Sequence, residues 1–273
     1  MSNGGLSAFV RRLLEQFAQP AGTTPTPAAS PLVDPTPSFP FPLVSVHGSD
    51  ALTTWRRLRD EGIGWPLVLG DGREVERLLE GFEMDERKPA AIIAAADRLS
   101  FPQSLIDDRA ADDRRAREYL RQRGQIEDED EEELDPPIGD WPDAVDASGF
   151  TLASDIRTGE PLPRVHIALL PCANGWEAIA HLRWGGWNAN PATEHHVAAL
   201  RSWHERFGAE LVGAGADVLN LHVAIRPATR DAALALAREQ HLYCADIVDQ
   251  GVETLSALAA TLMADDWWYF WWD

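Results

Sequence analysis

The feature that most limits what this chain can fold into is an aromatic run near its end, Trp267-Trp268-Tyr269-Phe270-Trp271-Trp272. The run is too short for a useful helix, and in an extended segment it places aromatic side chains on both faces. A strand of this composition is typical of one that is covered on both sides. The sequence therefore predicts a buried strand with a structural role at this end of the chain.

Two stretches of the chain alternate between strand-like and helix-like patterns. In residues 43–125, strands are predicted at Leu43–Val46 and Trp65–Leu69 with a helix between them, and further helices follow. This order predicts a β-α-β unit in an N-terminal α/β lobe. In residues 164–273, the apolar run Val165–Leu170 predicts a buried strand, and helices alternate with strands from there to the aromatic run. The expected fold class is α/β, or mixed α+β, with two small lobes.

Three other segments precede or separate these lobes. Residues 1–19 carry six apolar side chains on one helical stripe, which predicts an amphipathic helix. Residues 20–42 are rich in Pro, Thr, Ala and Ser and are interpreted as a linker that tethers this helix. The helix either folds back onto its own domain or docks on a partner. Residues 126–163 form an acidic, Pro-rich connector between the lobes.

The chain carries a formal net charge of −20, from 44 acidic and 24 basic side chains. A surface this negative repels phosphate backbones and anionic lipid headgroups, so we expect neither nucleic acid nor a membrane as a partner. A basic protein would be attracted instead. The sequence shows no basic leader region and no apolar run of membrane-spanning length, and its two cysteines, Cys172 and Cys244, are too few for a disulfide framework. These features predict a cytoplasmic protein with reduced thiols.

The sequence contains no strong enzyme or cofactor signature. A phosphate-binding glycine loop, a dinucleotide fingerprint, a Gly-x-Ser-x-Gly elbow, a Cys-x-x-Cys pair and a His-Glu-x-x-His motif are all missing. Gly70-Asp71-Gly72 follows a predicted strand and is interpreted as a turn only. His195, His196 and His204 are interpreted as ordinary surface or core histidines, because the last two are too far apart along a helix for one metal ion. We therefore expect no cofactor, no metal and no catalytic residue.

Two clusters of polar and aromatic side chains are the candidate binding residues. The first is Trp187 and Asn188, in a glycine-containing loop whose indoles would line a groove. The second lies at the end of an apolar helix, where polar groups must find partners or serve a site. Its members are Tyr243, Cys244, Asp246, Asp249 and Gln250. A packed loop and a capped helix end are the structural alternatives, and a nucleophilic Cys244 would need a neighbouring base that the sequence does not show.

The same segments carry a family resemblance. Leu242–Gly251, Gly186-Trp187-Asn188 and the terminal Trp268–Asp273 together resemble a bacterial family catalogued as domain of unknown function 4253. The resemblance is specific over the C-terminal lobe and weaker over the first lobe. The family form often has Pro where this chain has Ala245, a departure that leaves the helix-to-loop interpretation intact. The resemblance implies no particular activity.

Acidity combined with a missing catalytic signature favours a non-enzymatic protein-binding module, similar to the immunity proteins that bacteria place beside toxins. The competing hypothesis is an enzyme, either a hydrolase or a transferase, with a pocket between the Trp187 loop and the Cys244–Gln250 segment. A deep pocket joining these two segments would favour the enzyme, whereas a broad acidic face would favour the binding module.

Overall fold

Six strands of the chain form one mixed β-sheet in the computed structural model, which describes residues 38–124, 136–145 and 147–273. In chain order the strands are β1 (Leu43–Val46), β2 (Trp65–Gly70), β3 (Val165–Leu170), β4 (Glu210–Ala214), β5 (Val218–His222) and β6 (Trp267–Trp271). Their order across the sheet is β1-β3-β2-β4-β5-β6. β2 and β4 are parallel, and the other neighbouring pairs in this sheet are antiparallel.

Eight α-helices accompany the sheet within the described residues. They are α1 (Ala51–Glu61), α2 (Gly72–Met84), α3 (Pro89–Ala96), α4 (Gln103–Gln122), α5 (Gly175–Leu182), α6 (Thr193–Phe207), α7 (Arg230–Tyr243) and α8 (Leu255–Ala264). A short 3-10 helix precedes α1 at Gly48–Asp50, and a π-helix covers Ile247–Val252. None of the described helices combines the length and the apolar composition that crossing a membrane requires.

Capping residues in the sequence set several helix boundaries. The side chains of Asp71, Thr229 and Thr254 accept hydrogen bonds from backbone N–H groups in the first turns of α2, α7 and α8. Gly62 ends α1 in the left-handed conformation, with φ 66°, which glycine adopts without steric cost. The capping side chains satisfy N–H groups that have no partner within their own helix.

The predicted α/β fold class and the predicted C-terminal strand are confirmed. β6 pairs with β5 and lies at one edge of the sheet. Trp268 and Phe270 project to one face and are fully buried, while Trp267 and Tyr269 project to the other face and are half-buried. The strand is therefore covered on both sides, as its aromatic composition indicates.

The two stretches predicted as separate lobes share this one sheet. β3 comes from the C-terminal stretch, yet it lies between β1 and β2 of the N-terminal stretch. Every residue of β2 is buried, and the backbone of a buried strand needs hydrogen-bonding neighbours on both edges. β3 and β4 supply these neighbours. β1 and β2 are parallel, as expected of a β-α-β unit, but with β3 inserted between them.

The described part of the predicted connector packs against β5 and β6. The side-chain carbonyl of Asn220 on β5 accepts hydrogen bonds from the backbone N–H of Thr151 (3.1 Å) and from its hydroxyl (2.9 Å). The ring of Phe150 contacts that of Trp267 with 5.3 Å between centroids. These residues therefore belong to the folded body of the protein and cover the face of the sheet that carries Asn220.

Aromatic rings fill the core on the opposite face, between the sheet and the helices α6 and α7. Trp203 of α6 stacks on Phe270 with ring centroids 5.2 Å apart. Edge-to-face contacts join Trp203 to Tyr243 (4.9 Å) and to Trp268 (5.7 Å). Such geometry adds specific ring interactions to the burial of apolar area, so this cluster anchors β6.

Some predicted segments lie outside the described residues. These are the amphipathic helix 1–19, the Pro-rich linker 20–42 as far as residue 37, and the most acidic part of the connector, residues 126–135. They stay predictions.

Candidate functional site

A cleft of about 810 Å³ opens at the carboxyl ends of β2 and β4. Because these two strands are parallel, their carboxyl ends lie at the same edge of the sheet, where α/β proteins usually bind ligands. The lining residues come from five places: the start of α2, the connector, the loop after α5, the β4–β5 turn and the end of β6. The cleft is our candidate functional site.

The first wall is the turn that joins β2 to α2. Gly70 ends β2 with φ 88°, a left-handed conformation that favours glycine. The carboxylate of Asp71 then accepts hydrogen bonds from the backbone N–H groups of Arg73 (2.9 Å) and Glu74 (3.1 Å) and so caps α2. This sharp turn directs the first residues of α2 into the cleft.

Charged side chains are paired across the cleft. Arg77 donates from Nη1 to Oε1 of Glu74 (2.9 Å) and from Nη2 to Oδ2 of Asp217 (2.8 Å). The second carboxylate oxygen of Glu74 accepts the backbone N–H of Ala216 at 2.8 Å. Partial burial lowers the pKa of Arg77, but the hydrogen bonds and the charges of its two partners raise this pKa more. The pairs hold α2 against the β4–β5 turn.

The connector contributes a further charged pair. The carboxylate of Asp155 accepts the backbone N–H groups of Arg157 (2.8 Å) and Thr158 (3.1 Å), and the Arg157 guanidinium lies 3.9 Å from it. The two backbone hydrogen bonds lower the pKa of Asp155, which therefore stays ionised. In total, five carboxylate residues and three arginines line the cleft. They are Asp71, Glu74, Asp155, Asp217 and Asp273, together with Arg73, Arg77 and Arg157.

Aromatic residues line another part of the cleft and are called the aromatic wall. Trp187, Tyr269, Trp271 and Trp272 all line the cleft. Behind them, Trp184 contacts both Trp187 (4.8 Å) and Trp272 (5.2 Å) edge-to-face. The cleft therefore combines an acidic wall with an aromatic one.

Two of the predicted binding residues lie in the cleft. Trp187 lines it as described above, and Asn188 follows with a positive φ of 47°. The amide nitrogen of Asn188 donates to the backbone carbonyl of Asp273 at 3.1 Å. This hydrogen bond fixes the loop to Asp273, two residues past the end of β6.

Tyr243 and Cys244, two further predicted residues, are buried behind the aromatic wall. Cys244 donates its thiol hydrogen bond to the backbone carbonyl of Trp271 at 2.9 Å. Burial raises the pKa of the Cys244 thiol, so the thiolate that a nucleophile needs does not form near neutral pH. Both side chains are inaccessible and contribute to packing.

Asp246, Asp249 and Gln250 lie beside the cleft and do not line it. The Asp246 carboxylate accepts the side-chain amide of Gln250 (3.0 Å) and the backbone N–H of Asp273 (3.1 Å). Asp249 pairs with His241 at 3.0 Å. Asp273 therefore links the two predicted clusters. Its backbone N–H binds Asp246 of the second cluster, and its backbone carbonyl binds Asn188 of the first. For Asp246, Asp249 and Gln250, these contacts fit the structural alternative of a capped helix end.

A buried polar network next to the aromatic wall was not predicted. His196 is fully buried; its Nδ1 lies 2.5 Å from the Tyr243 hydroxyl and its Nε2 lies 2.6 Å from Oδ1 of Asn190. Burial lowers the pKa of His196 to about 3, so the ring is neutral at physiological pH. Because Oδ1 of Asn190 only accepts, Nε2 donates to it and Nδ1 accepts from Tyr243.

The acidic wall, formed by the charged residues named above, was also missed. Gly70-Asp71-Gly72 was interpreted as a turn, and this turn joins a buried strand to a helix whose start lines the cleft. Within the described residues, no group of three or more His, Cys, Asp or Glu side chains has the arrangement of a metal site.

The fold and the cleft define an α/β protein with one mixed sheet and a candidate ligand site at the ends of its only described pair of neighbouring parallel strands. Residues 166–273 match the family model described as Domain of unknown function (DUF4253), which confirms the resemblance of the C-terminal region. The match includes the aromatic wall, whereas the start of α2 and the connector precede it. No curated protein and no solved structure matches the chain.

Proposed function

We propose that this protein is a non-enzymatic protein-binding module, immunity-protein-like in character, whose cleft receives a positively charged segment of a basic partner. One observation carries the proposal. The cleft is lined by two more carboxylate residues than arginines, and aromatic residues line another part of it. The chain around it has a net charge of −20.

The net charge of the whole chain and the lining of the cleft both favour the binding of a positively charged group. A strongly negative molecule attracts a basic partner over long range and accelerates its encounter. At short range, the negative face of an indole attracts an ammonium or guanidinium group, especially where water is partly excluded. Trp187 and Trp271 line the cleft together with Asp217 and Asp273. A cationic side chain therefore meets both kinds of attraction in this one cleft.

The competing enzyme hypothesis has less support. It placed a pocket between the Trp187 loop and the Cys244–Gln250 segment, but no residue of that second segment lines the cleft. Cys244 is buried and its pKa is raised, as described above. The carboxylates of the cleft that bind Arg77 act as acceptors of hydrogen bonds from a cation, which suits recognition of a positive group better than proton transfer.

We also propose that the protein is cytoplasmic. Cys172 is half-buried and Cys244 is buried, and both are free thiols. Burial raises the pKa of Cys172 to about 12, which keeps that thiol protonated and unreactive. Free thiols are the usual state in a reducing compartment.

We expect a fluorescein-labelled peptide of alternating lysine and glycine to bind the protein in a salt-dependent manner. Because ionic screening reduces attraction beyond about 8 to 10 Å at physiological salt, its affinity should fall about tenfold or more between roughly 20 mM and 300 mM NaCl. Fluorescence anisotropy measures this affinity. The same peptide with glutamate in place of lysine should not bind.

The matched variants for this test are Asp217→Asn and Asp113→Asn. Both remove one negative charge, but Asp217 lines the cleft whereas Asp113 is exposed on α4 and outside it. Asp217→Asn should lower the affinity for the lysine peptide several-fold, whereas Asp113→Asn should leave this affinity unchanged. Equal affinity for the lysine and glutamate peptides, or equal effects of the two variants, would contradict the proposal.

A further inference from the structure

One charged group of the cleft, Arg77, is held by two carboxylates that come from different parts of the fold. Glu74 lies one turn earlier on α2, and Asp217 lies in the β4–β5 turn. One guanidinium bridges them, with 2.9 Å to Glu74 and 2.8 Å to Asp217. The two acceptors are therefore spaced to take two N–H groups of a single planar fork.

The two carboxylates are more buried than the arginine between them. The side chain of Arg77 is 50% exposed, whereas those of Glu74 and Asp217 are 25% and 30% exposed. Glu74 also accepts the backbone N–H of Ala216, which holds its carboxylate in place without Arg77. Ion pairs this exposed to solvent contribute little to stability. Arg77 is thus the exchangeable member of the group.

A second feature, independent of the ion pairs, is an unused hydrogen-bond donor on a residue that lines the cleft. Trp272 lines the cleft and is 2% exposed, and its indole N–H has no hydrogen-bond partner among the described residues. A buried donor of this kind costs free energy until an acceptor reaches it. A backbone carbonyl of a bound peptide is such an acceptor.

We propose that Glu74 and Asp217 form an arginine-binding subsite, which Arg77 occupies in the unbound protein and which an arginine of a bound peptide takes over. This inference rests on the proposed function, because it names the group that the cleft selects. The peptide arginine replaces the Arg77 guanidinium between the two carboxylates, while a carbonyl of the same peptide accepts the Trp272 indole N–H. Lysine fits less well, since its point charge does not match two acceptors in a fork.

The test uses a fluorescein-labelled, amidated peptide Gly-Arg-Gly-Arg-Gly and its lysine counterpart, with affinities measured by fluorescence anisotropy at low salt. Arg77→Gln removes the internal competitor and one positive charge. Arg77→Gln should bind the arginine peptide about three- to fourfold more tightly than the unmodified protein, the size expected for removing a repelling charge at roughly 5 to 7 Å when water screens it fully. The unmodified protein should bind the arginine peptide more tightly than the lysine peptide. The affinity of Arg77→Lys for the arginine peptide should lie between those of the unmodified protein and Arg77→Gln.

Arg57→Gln is the matched control. Arg57 is an exposed residue of α1 that pairs with Glu61 outside the cleft, and its replacement changes the net charge equally. If Arg77→Gln and Arg57→Gln bind the arginine peptide equally well, or if Arg77→Gln binds it more weakly while its circular dichroism spectrum is unchanged, the subsite is overturned and the binding module stands. If neither peptide binds the unmodified protein at any salt concentration, the proposed function fails and the subsite fails with it.

Discussion

Deleting Trp267–Asp273 is expected to unfold the protein. The deletion removes β6, which pairs with β5 over five residues, and it removes the buried rings of Trp268, Phe270 and Trp272. Each fully buried aromatic side chain contributes about 2 to 3 kcal/mol through burial alone. The total free energy of unfolding of a domain is only about 5 to 15 kcal/mol. The loss of three such anchors, about 6 to 9 kcal/mol, is comparable with this total, and the loss of one strand of the sheet adds to it.

Circular dichroism and thermal denaturation measure this result. The truncated chain should lack a cooperative transition, and a truncated chain with an unchanged melting temperature would refute the structural role of β6. A milder pair of variants separates packing from chain length. Phe270→Ala, at a fully buried position, should lower the free energy of unfolding by about 3 to 5 kcal/mol. Tyr119→Ala, at a position 53% exposed on α4, should change it little.

Acid should destabilise the protein through His196. Burial lowers the pKa of this histidine to about 3 in the folded state, whereas in the unfolded chain it titrates near its ordinary value of about 6.5. Between these two values the unfolded state binds the additional proton. The contribution of neutral His196 to the free energy of unfolding is therefore fully present above about pH 6.5, and it is lost as the pH is lowered toward 3.

The expected size of this effect is large for one side chain. At pH 4.5 the contribution of His196 should reduce the free energy of unfolding by about 2 to 3 kcal/mol relative to pH 7.5. Urea denaturation at the two pH values measures it. The comparison between variants isolates His196, because the titration of the other acidic and basic groups is common to all of them.

His196→Gln removes the titrating ring and should lose most of this pH dependence, even if its stability at pH 7.5 is lower. His47→Gln is the control, since His47 is exposed and should leave the pH dependence as it is in the unmodified protein. The same dependence on pH in the two variants would show that His196 is not the group responsible.

Local patterns in the sequence were sufficient for most elements of the fold. The aromatic run predicted β6, and the apolar run Val165–Leu170 predicted β3, because burial on both faces leaves a clear signature in composition. The order of the strands was not accessible in the same way. β3 pairs with β1 and β2 across about a hundred residues of chain or more, and no short-range pattern specifies such a partner.

The candidate site was predicted in part for the same reason. Trp187 and Asn188 were identified because aromatic and amide groups next to glycines suggest a surface loop. Tyr243 and Cys244 carry equally polar groups but lie in the core, where Cys244 bonds to the backbone of β6. Sequence alone does not distinguish a polar group that serves a site from one that satisfies a buried partner.

The acidic wall shows a different limit of sequence reasoning. Glu74 and Asp217 are far apart in the chain, and only the parallel pairing of β2 with β4 brings the segments that carry them to the same edge of the sheet. Neither residue stands in a motif. Their common partner Arg77 gives them a shared role that is visible only in three dimensions.

The most direct test of the central claim, that the cleft is the binding site, is a titration followed by the indole N–H resonances in a ¹H-¹⁵N NMR correlation spectrum. The chain has 11 tryptophans, and Trp→Phe variants assign their signals. With the Gly-Arg-Gly-Arg-Gly peptide as titrant, the resonances of Trp187, Trp271 and Trp272 should shift most, because these residues line the cleft. Those of Trp55 and Trp65, whose indoles donate to backbone carbonyls in the core, should stay in place. Equal shifts in both groups, or shifts at Trp55 and Trp65 alone, would contradict the account.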